Sequence, residues 1–173
     1  MACTTTLSSI GFDCNTNLAG VKAIYIAQYP EGGADVSTNA SGEIVSMDAS
    51  SFYTYLPAKN TGSLTKTMTK DESTGVKYYT NEVTGNFNRM NAEKRKALAG
   101  LDGGQLIVVV EDLNGEYWYL GKDNYVTATA ITGQTGTSPD DGNNYTLTLT
   151  DTSAELPYPL SEAAITAFKA KIV

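Results

Sequence analysis

The chain has 173 residues, of which 41% are hydrophobic and only 18% charged, and it contains no histidine. That length suits one domain with its own core, and the lack of histidine excludes triads that use it as general base. A net charge of −7 argues against gripping nucleic acid, which takes clustered Lys and Arg to displace counterions from phosphate. The charged share falls below the usual quarter of a soluble domain. Short polar side chains fill the gap, a composition suited to a surface that meets other protein.

Residues 1–20 are polar and without period, and read as an N-terminal arm that orders where something docks on it. Met1-Ala2-Cys3-Thr4-Thr5-Thr6-Leu7 has neither a basic region nor an apolar run, so no signal peptide is expected and assembly is expected in the cytoplasm. No apolar stretch approaches the ~18 residues of a membrane span, so no membrane partner is expected. Cys3 and Cys14 read as free thiols, although their spacing also admits a disulfide; nothing in it resembles a zinc motif.

Val21–Tyr29 (VKAIYIAQY) is rich in β-branched and aromatic residues and reads as a buried strand, ended by Pro30, Gly32 and Gly33. Asp35 to Gly42 reads as loop, and Glu43–Met47 and Ser51–Leu56 as short strands. Leu64, Lys66, Met68 and Lys70 alternate with Thr65, Thr67 and Thr69, so each set lies on one side of a strand. Asp71 to Gly75 supplies a turn, and Val76 to Phe87 returns. A single copy has difficulty covering both faces of this long hairpin, Leu64–Phe87, which makes it a candidate for pairing with a neighbour.

Asn91 can cap a helix over Ala92–Ala99, with Glu93 in the first turn and Gly100 at C′. Met90, Ala97, Leu98 and Leu101 would form its apolar stripe. Gln105–Asp112 (QLIVVVED) is the strongest strand signal, and Asn114-Gly115 signals a two-residue hairpin into Glu116–Gly121 (EYWYLG). Tyr125–Thr132 and Tyr145–Thr150 read as strands on either side of a mobile loop, Gly133–Asn144. Ser161 can cap a C-terminal helix over Glu162–Lys171 with Ala164, Ile165, Phe168 and Ile172 on its apolar side. The expected fold is mainly β: an antiparallel β-sandwich or half-barrel with one flanking helix, a long hairpin and a short C-terminal helix. Its divisions are an arm (1–20), a sandwich domain (21–160, helix near 91–99) and a C-terminal helix or arm (161–173).

Catalytic, cofactor-binding and metal-binding residues are not assigned. Glu111 and Asp112 are adjacent strand residues that point to opposite faces, so they do not flank one bond, and Asp112 reads as the residue that starts a turn. Asp140-Asp141-Gly142-Asn143-Asn144 lacks the calcium-loop spacing and the distal glutamate and reads as an ordinary turn. Tyr117, Trp118, Tyr119 and Tyr125 could stack on sugars or bases, but the alternation along the strand favours core packing for the tyrosines.

Charge is unevenly spread. Lys59 to Lys96 holds eight bases against four acids, and Leu101 to Glu162 holds ten acids with Lys122 as its one base. Opposite signs on different surfaces suit head-to-tail contacts between copies, and Lys66, Lys70, Lys77 and Arg89 are expected to meet Asp140 and Asp141 of an adjacent copy.

One ordered set of motifs points further. A basic helix start, Asn91-Ala-Glu-Lys-Arg-Lys, precedes Asp102-Gly103-Gly104 and the strand and hairpin Ile107-Val-Val-Val-Glu-Asp-Leu-Asn-Gly115. Trp118-Tyr-Leu-Gly121, Gly133-Gln-Thr-Gly136, Asp141-Gly-Asn-Asn-Tyr145 and Thr146-Leu-Thr-Leu149 follow. In this order they resemble the tail tube proteins and related virion proteins of tailed bacteriophages. The resemblance implies a small sandwich-plus-helix subunit forming hexameric rings. The rings stack into a tube, and strands from every copy line an inner barrel through which DNA passes without being held. The partners implied are further copies and other virion tail proteins, and the location is the virion. The family carries no active-site residues. A head-tail connector ring, a stopper or a capsid decoration protein is the alternative within virions, and a carbohydrate-binding β-sandwich module is the alternative outside them.

Overall fold

The computed structural model describes residues 8–49 and 51–173. In chain order the elements are β1 (Val21–Gln28), β2 (Val36–Thr38), β3 (Ile44–Met47), β4 (Tyr53–Tyr55), β5 (Ser63–Asp71), β6 (Val76–Asn88), α1 (Ala92–Ala99), β7 (Leu106–Asp112), β8 (Tyr117–Leu120), β9 (Thr127–Gln134), β10 (Asn144–Ser153), β11 (Tyr158–Pro159) and α2 (Glu162–Lys169). The protein is mainly β, with antiparallel sheets, a flanking helix and a C-terminal helix. A five-stranded sheet runs β11-β8-β7-β1-β4, a four-stranded sheet β5-β6-β10-β9, and β2 and β3 pair by themselves.

The five-stranded sheet is covered on both faces. Ile24 and Ile26 of β1 and Val108 and Val110 of β7 face Val83, Phe87, Leu147 and Leu149 of the four-stranded sheet in one core. Their neighbours Ala23, Tyr25, Ala27, Ile107 and Val109 point the other way and meet Ile44, Phe52 and α2 in a second core. Double coverage explains why β1 and β7 read as unbroken apolar runs: with both faces buried, neither side of the strand needs polar residues. Burying each large apolar side chain contributes ~1.5–3 kcal/mol, and these two strands hold many of them.

The C-terminal helix completes the second core. Ser161 accepts from the Ala164 amide and starts α2. Phe168 is fully buried, with ring centroids 5.0 Å from Tyr25, 4.9 Å from Phe52 and 5.8 Å from Tyr117, all edge-on as aromatic quadrupoles prefer. The Ser161 amide donates to Ile44 O and the Val173 amide to Phe52 O, at 2.9 Å each. Residues 161–173 are thus stitched into the body of the protein. Residues 8–19, by contrast, form neither helix nor strand and are exposed.

The two sheets approach closely at Gly85 of β6, where a Cβ would stand 3.0 Å from Ile24 Cδ1. Only glycine lets the two sheets approach this closely there.

Several boundaries differ from expectation, each for a local reason. The segment expected as loop at Asp35–Gly42 contains β2, which pairs with β3 through Val36↔Met47. β9 starts two residues late and runs to Gln134, into the expected loop, because β10 starts at Asn144 and pairs with it there. The Asn114-Gly115 signal produces a three-residue connection: the Gly115 amide donates to Asp112 O, the Asp112 amide to Glu116 O, and Gly115 takes φ 91°. That is a type I turn closed by a left-handed glycine. Gly100 ends α1 at φ −70° and is not a left-handed cap; the left-handed residue is Gly103, at φ 67°. In α1 itself only Leu98 is buried, with Leu101 just beyond it, while Ala97 is exposed and Met90 half-buried. Cys14 is exposed. Cys3 lies outside the described residues, as does the question of a bond between the two.

Candidate assembly surface

The outward face of the four-stranded sheet is its most unusual surface. Along β6 and β10, Val83, Phe87, Leu147 and Leu149 point into the core, so the alternate residues point out. Register places them in rows: Ser63, Thr84, Thr148 and Ala130 make one, and Asn86, Thr146 and Thr132 another. Thr67, Thr80 and Thr152 make a third. On the rows that β6 and β10 share, Glu82 is the sole charged side chain. Among the described residues, neither hydrophobic core takes a side chain from this face. The Thr129 and Thr150 hydroxyls bond at 2.9 Å. The face is a carpet of short hydroxyls and amides.

Among the described residues, both edges of this sheet are long and unpaired. β5 pairs only with β6, and β9 only with β10. An unpaired strand offers its free amides and carbonyls to another chain, and natural edges are blunted with charge, proline or short length. β5 carries Lys66 and Lys70, whereas β9 (TATAITGQ) has no charge and no proline. From Thr129 to Gln134 every residue of β9 is exposed. Two features flank it: the register shift beside Thr148, a bulge that leaves Thr129 as the extra residue, and α1, whose Arg95, Leu98 and Ala99 line a shallow cavity with Ala128 to Ile131. The five-stranded sheet differs: its edges are β11, two residues, and β4, three residues.

The strands are also progressively offset. β5 spans residues 76–84 of β6, and β10 spans 79–88. β9 ends level with β10 at Asn144 and stops short at Thr150. The sheet is thus cut on the diagonal: β5 and β6 are level at their turn, and β6, β10 and β9 are level at Asn88, Asn144 and Gln134. The tip of the β5–β6 hairpin overhangs, since Val76 to Tyr78 pair only with β5.

The six charged residues expected at a contact between copies fall in different settings. Lys66 is half-buried, with Nζ 3.0 Å from the centroid of the Trp118 ring. Burial pushes its pKa down to about 8, against a weaker opposite pull from Asp112. Trp118 in turn donates from Nε1 to Asp112 Oδ2 at 3.2 Å. Lys70 pairs with Glu72 at 3.1 Å on the hairpin tip, and Lys77 lies over the Tyr79 ring there. Arg89 holds φ 59°, and its amide donates to Asn143 O at 2.6 Å, beside the acidic loop of its own chain. Asp140 is exposed. Asp141 Oδ2 accepts from the Thr137 and Ser138 amides at 2.7 and 2.8 Å, bonds that hold its pKa down at about 2. Lys70 and Lys77 thus stand at one end of the four-stranded sheet, and Asp140 and Asp141 at the other.

Two buried polar groups sit deeper. Glu111 accepts from Lys22 Nζ at 2.5 Å and from the Tyr25 hydroxyl at 2.8 Å. Burial alone would raise its pKa, but the Lys22 and Tyr25 bonds outweigh burial and hold it below the ordinary carboxylate value. Burial, then Glu111, pushes Tyr117 up to about 12. Asp151 is nearly fully buried and is bonded through Oδ2 to Asn81 at 3.0 Å, and burial raises its pKa. Tyr117 and Tyr119 are buried and Trp118 lies beneath Lys66, so the aromatic strand presents no open stacking face.

Among the described residues no group of three or more His, Cys, Asp or Glu is placed to hold a metal, and no helix is long and apolar enough to cross a membrane. Comparison of the chain with protein-family models, curated proteins and solved structures finds no match. The β9 edge escaped the sequence reading, which assigned its last residues to a loop. The available signals were the uncharged T-A-T-A alternation at 127–130 and the T-x-T spacing of β5 and β10.

Proposed function

We propose that the chain is a tail tube subunit of a tailed bacteriophage, which closes into hexameric rings that stack into the conduit for DNA. The observation that carries this reading is the four-stranded sheet: two long edges unpaired among the described residues, and a bare polar face. Pairing β5 of one copy with β9 of the next satisfies both edges at once and repeats around a ring, a heterologous contact that closes. Barrels of ~16 strands or more enclose an open channel, a size that six such sheets exceed. The threonine face then lines the lumen. Hydroxyl and amide side chains with Glu82 among them offer phosphate no cationic grip, so DNA slides past. The ordered motifs from Asn91 to Leu149 support the same family. Under this reading the protein works in the virion, is assembled in the host cytoplasm, and meets other tail proteins at the ends of the tube.

A head-tail connector, a stopper or a decoration protein shares the need to oligomerise but does not make a tube. Negative-stain microscopy of the purified protein separates these: stacked rings are expected. Closed rings that never stack would replace the reading with a connector. Dispersed single chains at high concentration would overturn it. The buried Tyr117 and Tyr119 rings weigh against a carbohydrate module, for which a monomer with glycan-array hits is the signature.

A further inference from the structure

We infer that the N-terminal arm of one copy docks in the groove between β4 and α1 of another, joining copies end to end. This contact is additional to the lateral β5–β9 pairing proposed above and does not require it. The arm carries the two most exposed large apolar side chains among the described residues, Ile10 at 97% and Phe12 at 94%. Being two residues apart, they fall on the same side of an extended chain. The arm does not drift from its root, where the Leu18 amide donates to Asn114 Oδ1 at 2.7 Å and Asn114 Nδ2 donates to Leu18 O at 3.1 Å.

The receptor is a groove of about 610 Å³ between β4 and α1, with Ile26, Leu101 and Leu106 in its floor and Tyr53, Tyr55 and Ala97 on its walls. Tyr53 is 58% exposed, and Leu56 just past the strand is 65% exposed. Phe52, just before β4, already exchanges main-chain bonds with Lys171 and Val173, so the arm engages the groove through alternate side chains and does not extend the sheet. Tyr53 and Tyr55 share one face of β4, the side on which Tyr55 meets the sandwich core, and this is the side Ile10 and Phe12 would enter.

Position favours a second copy as the occupant. The arm root lies beside Asp112 and the β7–β8 turn, at the start of β1, whereas the groove lies at Ile26–Gln28, the end of β1. A hook at one end of a sheet and its socket at the other generate an open head-to-tail series. From Ser8 to Gly20 the arm has one charge, Asp13, and the groove lining holds one acid, Glu93, and one base, Lys96, so the contact is carried by apolar side chains.

The test uses the full chain carrying Ala130→Lys and Thr132→Lys, which charge the β9 edge and remove lateral pairing. Light scattering on this parent should show a mass that grows with concentration above the 18.4 kDa of one chain. Adding Phe12→Asp or Tyr53→Asp should return each protein to a single-chain mass, with circular dichroism confirming that both stay folded. Mixing the two should give a species of about twice one chain and no larger, because only the intact arm of one fits the intact groove of the other. A parent that stays monomeric at all concentrations, or variants that fail to pair on mixing, overturns the inference. Phe12→Asp with the native β9 edge separates the two proposals: rings without stacks leave lateral closure standing whatever becomes of the arm, and the loss of rings counts against the tube reading.

Discussion

The two large sheets of this protein solve opposite problems. The five-stranded sheet has both faces buried and edges of two and three residues, so a single chain completes it. The four-stranded sheet buries one face, shows threonine on the other, and leaves two long strands unpaired. The first sheet behaves as a finished interior and the second as half of one. In physical terms, stability concentrates in the sheet that is closed, while the open sheet leaves main-chain donors and acceptors to be satisfied by water or by another chain.

Substitutions separate these roles, and the largest effects fall on the closed side. Phe168→Ala removes a ring at the centre of the second core and should cost about 3–5 kcal/mol, read from the urea midpoint; an effect below 1 kcal/mol would mean this core does not carry the fold. At the seam between the sheets, Gly85→Ala drives a methyl against Ile24 and should cost about 1–3 kcal/mol. A neutral result would show that the sheets are less tightly apposed than described.

The buried carboxylates give effects of opposite sign. Glu111 is held below its ordinary value of 4.5, so its contribution is present above that pH and is lost as pH falls through the lower folded value. Glu111→Gln should cost about 1–2 kcal/mol at pH 7 and flatten the acid limb of the stability curve, as urea titration at stepped pH will measure. Asp151 is raised, so the folded state favours its neutral form and stability is lost as pH rises through the folded value. Asp151→Asn keeps an acceptor for Asn81 and removes the buried charge, and thermal denaturation at pH 7 should register a gain of about 1 kcal/mol. A loss there would mean that the ionised carboxylate has a partner. The smallest effect on folding belongs to the open sheet. Ala130→Lys with Thr132→Lys, both exposed, should shift stability by less than ~0.5 kcal/mol while abolishing rings, as denaturation and electron microscopy will show side by side.

The closed sheet was largely legible in the sequence. Unbroken apolar runs at β1 and β7, the Asp112 turn and the Ser161 cap each follow from local pattern, because burial on both faces leaves a strong compositional trace. The open sheet was legible only in part. Its hairpin was readable from alternation and turn residues, but β9 ran past its expected end because pairing with β10, a long-range contact, extends it. Lys66 illustrates the same limit: its place on β5 was plain, but its position over Trp118 depends on how β5 and β8 pack and not on either strand alone. The register that aligns threonines into rows is likewise invisible until strands are placed side by side.

The central claim is that β5 and β9 of neighbouring copies complete one another. A helical cryo-electron microscopy reconstruction of the assembled full-length protein tests it most directly. The expected result is β5 of one copy about 4.7–4.9 Å from β9 of the next, in a continuous barrel with the threonine rows facing the lumen. An assembly in which these strands remain solvent-exposed, or in which the threonine face lies outside, would contradict it.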